Sequence, residues 1–465
     1  MEVTASFQQL LSEFACVFTA PSFVTFVRLM SGWVLTHRRR FVTDLIWSSG
    51  STRKGHHSKY HRFFSQSAWA LDAVSLALTK LLISIFAPSG VIELAGDDTL
   101  CRKRGLTVYG TGMHHDPLIS SRTKPLVSWG HDWVVLTMLV RCPWAKSKVW
   151  ALPIGFRLYR NRQGLTKGQK KTADKNPNAK QTKQKTPKPK RDPNHRTRPE
   201  LLVELISLVS AWFPERAFLL TGDSAYGGHS VLSKLPSNVH LISHVHPQGA
   251  LYAMAPKVEP GQKGRRRKKG DRLPGLAALA SDAKQPWQKL KFDQFGLHAT
   301  LQVKTRRALY YTAGGDRLLT IVLTRDATGK RPDQMFYCTN LAWNARKVLS
   351  CYASRWAIEV TFENSKQLLG LEDPANRTEQ AVRRTAPMAL VLYSLIVAWF
   401  QRTGHRHVKF PDRPWYTTKR DPSFADMLTT LRRLSWQEHF RGLLPKTGVV
   451  KTCVAQITEF LALAG

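Results

Sequence analysis

Cys351-Tyr-Ala-Ser-Arg-Trp-Ala-Ile-Glu-Val-Thr-Phe-Glu-Asn-Ser-Lys366 contains neither glycine nor proline, and its apolar residues recur at helical spacing. The run predicts a single helix. At roughly 100° per residue, offsets of three, seven and fourteen return to within about 60° of the start. Tyr352, Arg355, Glu359 and Lys366 therefore share one narrow stripe. A phenol, a guanidinium, a carboxylate and an ammonium make a poor core face. They make a good surface for a metal ion and a phosphate backbone.

Carboxylates matter elsewhere too, because metal-assisted cleavage of a phosphodiester needs acids clustered around two ions about 3.5–4 Å apart. Acids are scarce here, 32 against 70 Lys plus Arg. Two acidic sites end strand-like runs: Gly96-Asp97-Asp98-Thr99 after Val91–Ala95, and Gly222-Asp223 after Ala217–Thr221. Strand alternation turns Asp97 and Asp98 to opposite faces, so one of the two enters a shared site. An isolated Asp at such a place is as often a turn former or cap. Two of them upstream of the Tyr352–Lys366 stripe favour a site.

The order Tyr-x2-Arg-x3-Glu-x6-Lys resembles the signature of the YREK-type bacterial insertion-sequence transposases, a branch of the DDE transposases. That resemblance implies an α/β RNase H-like core, a mixed five-stranded sheet with helices, carrying an inserted β-rich subdomain. It implies Asp98, Asp223 and Glu359 as the catalytic, metal-holding triad. Asp98 is chosen over Asp97 because the family pattern places Thr after the ligand. Tyr352, Arg355 and Lys366 are implied as DNA contacts, and Trp287 or Trp343 as a base-stacking residue. Two Mg²⁺ ions are implied, with Mn²⁺ substituting. The implied partners are double-stranded DNA, as element ends and target, and a second copy of the chain in a homodimer. Two rival readings are a non-catalytic DNA-binding descendant and an RNase H-like nuclease that never joins strands.

Composition agrees with a polyanionic partner. The formal net charge is +38, an excess that repels itself unless phosphate lies nearby. No uninterrupted apolar run of membrane-spanning length is evident. Ala68–Ala87 comes closest and carries Asp72 and Lys80. Met1-Glu2-Val3 lacks a basic leader, and the six cysteines form no CxxC pair. Reduced thiols and a cytoplasmic, nucleoid-associated location are expected.

Along the chain, residues 1–88 predict a helical module whose basic turns suit DNA. Residues 89–246 predict the first part of the core, with strands at Trp133–Cys142, Lys148–Tyr159 and Val239–Val245 and a helix at Glu200–Trp212. The Lys-, Gln- and Pro-rich stretch at about 160–198 predicts a disordered loop. Residues 247–345 predict the inserted subdomain, with β runs at His298–Thr312 and Leu318–Arg325 and a basic loop at Lys263–Lys269. Residues 346–400 complete the core, and 401–465 predict a helical region assigned to dimerisation. Glu363 is a second-rank carboxylate one turn beyond Glu359, and His114, His115 and His131 are assigned no role.

Overall fold

The computed structural model describes residues 2–121, 123–161, 195–246, 248–256, 266–294, 297–410, 414–415, 417–441 and 448–463. Most of the loop expected at 160–198, and the start of the basic loop at 263–269, lie outside these residues.

Five helices open the chain: α1 (Ala5–Ser12), α2 (Ala20–Leu35), α3 (Val42–Ser48), α4 (Ser58–Ser65) and α5 (Leu71–Phe86). Among the described residues ten strands follow: β1 (Ile92–Arg102), β2 (Gly112–His115), β3 (Val127–Cys142), β4 (Ala145–Tyr159), β5 (Phe218–Gly222), β6 (Val239–His244), β7 (Gln288–Gln294), β8 (Leu297–Leu309), β9 (Leu318–Arg325) and β10 (Gln334–Cys338). Between and after them come the main helices α6 (Arg198–Trp212), α7 (Ala345–Ser354), α8 (Ala357–Leu369), α9 (Glu379–Arg402), α10 (Phe424–Arg441) and α11 (Gly448–Leu463).

The strands form one mixed sheet. Its centre runs β4-β3-β1-β5-β6, with β4, β3 and β1 antiparallel and β1, β5 and β6 parallel. This is the five-stranded arrangement expected. The strands between residues 288 and 338 add to the β6 edge in the order β10-β9-β8-β7. The expected inserted β region thus continues the same sheet. The unpaired edge of β6 offered its backbone groups, and β10 satisfies them in antiparallel register. β3 is apolar on both faces from Trp133 to Val140 because helices cover both sides.

The stretch from Cys351 to Lys366 is two helices instead of one. Arg355 and Trp356 keep right-handed dihedrals (φ −55°, ψ −33° and φ −55°, ψ −22°). Their hydrogen bonds shorten to three-residue steps, with Arg355 N–H on Tyr352 O at 3.1 Å and Glu359 N–H on Trp356 O at 3.1 Å. A 3₁₀-type turn advances about 120° per residue rather than about 100°. Glu359 and Lys366 are therefore rotated away from the straight stripe that the spacing implied.

Among the described residues one helix is long and apolar enough, by length and composition, to cross a membrane, and it is α9 rather than the Ala68–Ala87 run. Its apolar window is 94% buried inside the protein. It is the central core helix: α4 and α5 pack on it, and Trp399 Nε1 donates to Ser6 Oγ at 3.0 Å. The amino-terminal helices and the sheet share one hydrophobic core, from Phe7 to Leu431. Trp33 Nε1 also donates to Leu369 O at the end of α8, at 2.8 Å.

Candidate active site

β1 sends alternate side chains to the two faces of the sheet. Gly96 faces α6 so closely that a Cβ there would lie 2.5 Å from Leu202 Cδ1. Asp98, two residues on, shares that face. Glu93 faces α7, where Lys347 Nζ meets it at 3.0 Å, so Ala95 and Asp97 look toward α7 and α8. Helix packing decides which carboxylate meets the Tyr-Arg-Glu-Lys residues, and it is Asp97.

Arg355 donates to Asp97 Oδ2 at 2.7 Å, with both side chains under 15% exposed. Burial pushes the Asp97 carboxyl up to about 7. Arg355 opposes that rise, while the charges of Asp223, Glu359 and Asp98 add to it. Asp97, Asp223 and Glu359 thus form one repelling group, Asp97 in the middle of β1, Asp223 just past β5 and Glu359 at the start of α8. Asp223 follows β5 and caps the next turn, its Oδ1 accepting from Ala225 N–H at 2.9 Å and Tyr226 N–H at 3.3 Å. Glu359 lies exposed in the first turn of α8. Glu363 is also exposed, and its Oε1 accepts from Gln367 Nε2 at 3.2 Å.

Asp98 belongs to a second polar cluster on the α6 face. Tyr226, fully buried, donates to Asp98 Oδ1 at 2.6 Å. Arg198, at the start of α6, reaches Asp98 Oδ2 at 3.3 Å and donates through Nε to Asp132 Oδ2 at 2.6 Å. Burial raises both carboxyls; the charges of Asp132 and Asp223 add to the rise at Asp98, while Arg198 and the hydrogen bond with Asp98 oppose it at Asp132. His114 lies 3.6 Å from Asp132, and burial, then the Arg198 charge, hold its imidazole down at about 4. Sequence reasoning missed this cluster. One signal was present: Asp132 is the carboxylate that immediately precedes the apolar run of β3.

Tyr352 stands between Arg355, whose guanidinium lies 5.7 Å from its ring centre, and the rings of His244 and Phe336, each 4.8 Å away. Lys366 sits further along α8, where its charge reaches Cys101 and Asp132. Trp287 is taken up by Lys304 and Arg325, at 4.8 and 4.6 Å from its ring.

The donor set fits a hard divalent cation in its chemistry: three carboxylates, mutually repelling and only partly neutralised by one arginine. Among the described residues, however, no three such side chains are already gathered around a point that would hold an ion. Arg355 occupies Asp97 instead. Ion binding therefore requires the carboxylates to draw together.

No curated protein matches the chain. The profile of the DDE superfamily endonucleases matches residues 13–313. That span carries Asp97, Asp98, Asp132, Asp223 and Tyr226 and ends before Glu359. The mixed sheet is the RNase H-like fold of such enzymes, whose substrate is DNA and whose chemistry uses divalent metals. With well over half of its length matched, the chain belongs to the DDE superfamily endonuclease family.

Proposed function

We propose that this protein is the DNA transposase of an insertion sequence of the YREK-type group, cutting the ends of its element and joining them to target DNA. The observation that carries the reading is the buried Asp97, paired with Arg355 and repelled by Asp223 and Glu359.

Asp97, Asp223 and Glu359 would hold two divalent ions, Mg²⁺ or Mn²⁺; such ions supply an activated attacking oxygen and a stabilised leaving oxygen. Asp97 takes the place that the sequence pattern gave to Asp98. Asp98, bound by Tyr226 and Arg198, sets the position of β1 against the turn after Asp223. Arg355 opposes the rise of the Asp97 carboxyl before the site fills, then shares its planar fork with a strand phosphate. Tyr352 presents its hydroxyl beside Arg355, and Lys366 adds a point charge further along the strand. The +38 charge holds double-stranded DNA. The amino-terminal helices bind the element ends, and a homodimer formed through the carboxy-terminal helices brings two ends together. The protein would act on the bacterial nucleoid in the cytoplasm.

The test is a plasmid carrying the element with its flanking repeats, incubated with the protein in Mg²⁺ and in Mn²⁺. Release of the element, and insertion of precut ends into a second DNA, are the expected products. Cleavage without joining would establish a nuclease that does not transpose. Metal-independent DNA binding with no cleavage would remove the enzyme reading. Affinity should fall with salt by about 0.9 in log K per phosphate contact for each tenfold rise.

A further inference from the structure

A cleft of about 440 Å³ opens between the first turn of α7 and the strands β7, β8 and β9. Its lining holds Lys289, Arg306, Arg307 and Arg346 and no carboxylate. Arg307 pairs with Thr320 and Thr305 with Val322. Alternation therefore turns Thr305, Arg307 and Thr320 toward the face where α7 packs on Val322. Thr320 is 8% exposed, yet its Oγ1 has no hydrogen-bond partner. A buried hydroxyl left without a partner is costly, so the space beside it suits a polar occupant.

The start of α7 adds donors. Asn344 Oδ1 caps Lys347 N–H at 3.0 Å. The N–H groups of Ala345 and Arg346, both lining the cleft, have no acceptor within the helix. Helix N–H groups, two arginines on the open side and an unpartnered hydroxyl make a receptor for an anion.

The position of the cleft says which anion. α7 rises from Ala345 at the cleft to Tyr352 beside the carboxylates, about 10 Å at 1.5 Å per residue. β6 spans the same interval: His240 lies against Trp343 at the cleft end, and His244 lies against Tyr352. On a DNA strand, successive nucleotides rise about 3.4 Å. An anion in the cleft thus stands about 10 Å from Tyr352, within a few nucleotides along a bound strand. We propose that the cleft binds a backbone phosphate of the DNA strand, within a few nucleotides of the bond that is cut. The inference rests on the reading of the chain as an enzyme acting on DNA.

The experiment is a scan of duplexes in which one phosphate at a time is replaced by neutral methylphosphonate, with affinity read by gel shift. Wild type should lose roughly tenfold at one or two positions served by the cleft. The double variant Arg307→Gln, Arg346→Gln should bind unmodified DNA roughly tenfold less well and be indifferent to neutralisation at those positions. If that variant unfolds, Arg307→Lys, Arg346→Lys keeps both charges and should retain the wild-type pattern. A glutamine variant with the wild-type sensitivity at every position overturns the proposal. So does displacement of the occupant by inorganic pyrophosphate with no positional effect in the scan, which would mark a site for free phosphate. Because the scan reads binding alone, it still reports on the cleft if wild type cleaves nothing.

Discussion

Tyr226 donates its phenolic hydrogen to Asp98 Oδ1 at 2.6 Å, tying the strand that carries Asp97 to the turn that begins at Asp223. Asp97 and Asp98 are neighbours in sequence with opposite employment: one faces Arg355, the other Tyr226 and Arg198. This division of labour yields the first expectation.

Asp97→Asn, Asp223→Asn and Glu359→Gln should each lower metal-dependent cleavage by several orders of magnitude, since metal activation contributes several kcal/mol to the transition state. Asp98→Asn should cost only about ten- to hundredfold, as loss of a supporting contact does. DNA affinity should persist in all four, because removing negative charge does not weaken phosphate binding. Cleavage beside gel-shift affinity decides it. Abolished cleavage in Asp98→Asn with near-normal cleavage in Asp97→Asn would exchange the two roles.

Tyr226→Phe removes one hydroxyl and leaves Asp98 Oδ1 without its donor. A hydrogen bond to a partly exposed carboxylate contributes about 1–2 kcal/mol. The urea midpoint should fall accordingly with an unchanged slope, and an unchanged midpoint would show that water replaces the phenol. Cleavage should fall with stability in this variant, since the turn that holds Asp223 loses its tie to β1.

Arg355→Ala should affect the metal-free protein most. It strips the buried Asp97 of its counter-charge, so the Asp97 carboxyl, already at about 7, rises further and keeps its proton through neutrality. Protonation limits the cost to a few kcal/mol. Addition of Mg²⁺ should recover more stability in this variant than in wild type, and Arg355→Lys should sit between them. Melting curves with and without Mg²⁺ read this directly. Equal Mg²⁺ responses in all three proteins would mean that Arg355 serves DNA alone.

His114 and His131 are buried, and burial holds both near pKa 4, below the ordinary 6.5. The unfolded chain takes up these protons first. Their contribution to stability is therefore complete above about 6.5 and is lost as pH falls toward about 4. Asp97, raised to about 7, acts in the opposite sense, because the folded protein binds its proton first as pH falls. The difference between wild type and His131→Gln isolates the imidazole. Denaturant titrations from pH 8 to pH 4 should show a shallower acid loss in the variant. Parallel curves would place His131 outside the acid transition.

The acid after β5, the basic excess, the positions of the five central strands and α6 were all legible in the sequence, because each is written in local pattern. Alternation marks a strand, the Gly222-Asp223 step marks the end of β5, and charge needs no fold to be counted. The expected end of the first strand at Gly96-Asp97 was not borne out, since β1 continues through Asp97 and Asp98 to Arg102, held by its pairing with β3. The break at Arg355 was not legible. Cys351–Lys366 contains no helix breaker, and its dihedrals stay helical. The turn tightens where the chain passes from packing on β6 and β7 to packing on β4. The continuation of the sheet past β6 was likewise invisible, because pairing between β6 and β10 joins residues about a hundred positions apart.

The sequence by itself determined that Asp97 and Asp98 point opposite ways, since side chains on a strand alternate whatever surrounds them. Only the tertiary structure decided which of them meets Glu359, because that depends on the face where α7 and α8 pack. The same packing joined Tyr226, Arg198 and Asp132 around Asp98. Those residues come from three separate elements, and no spacing along the chain relates them.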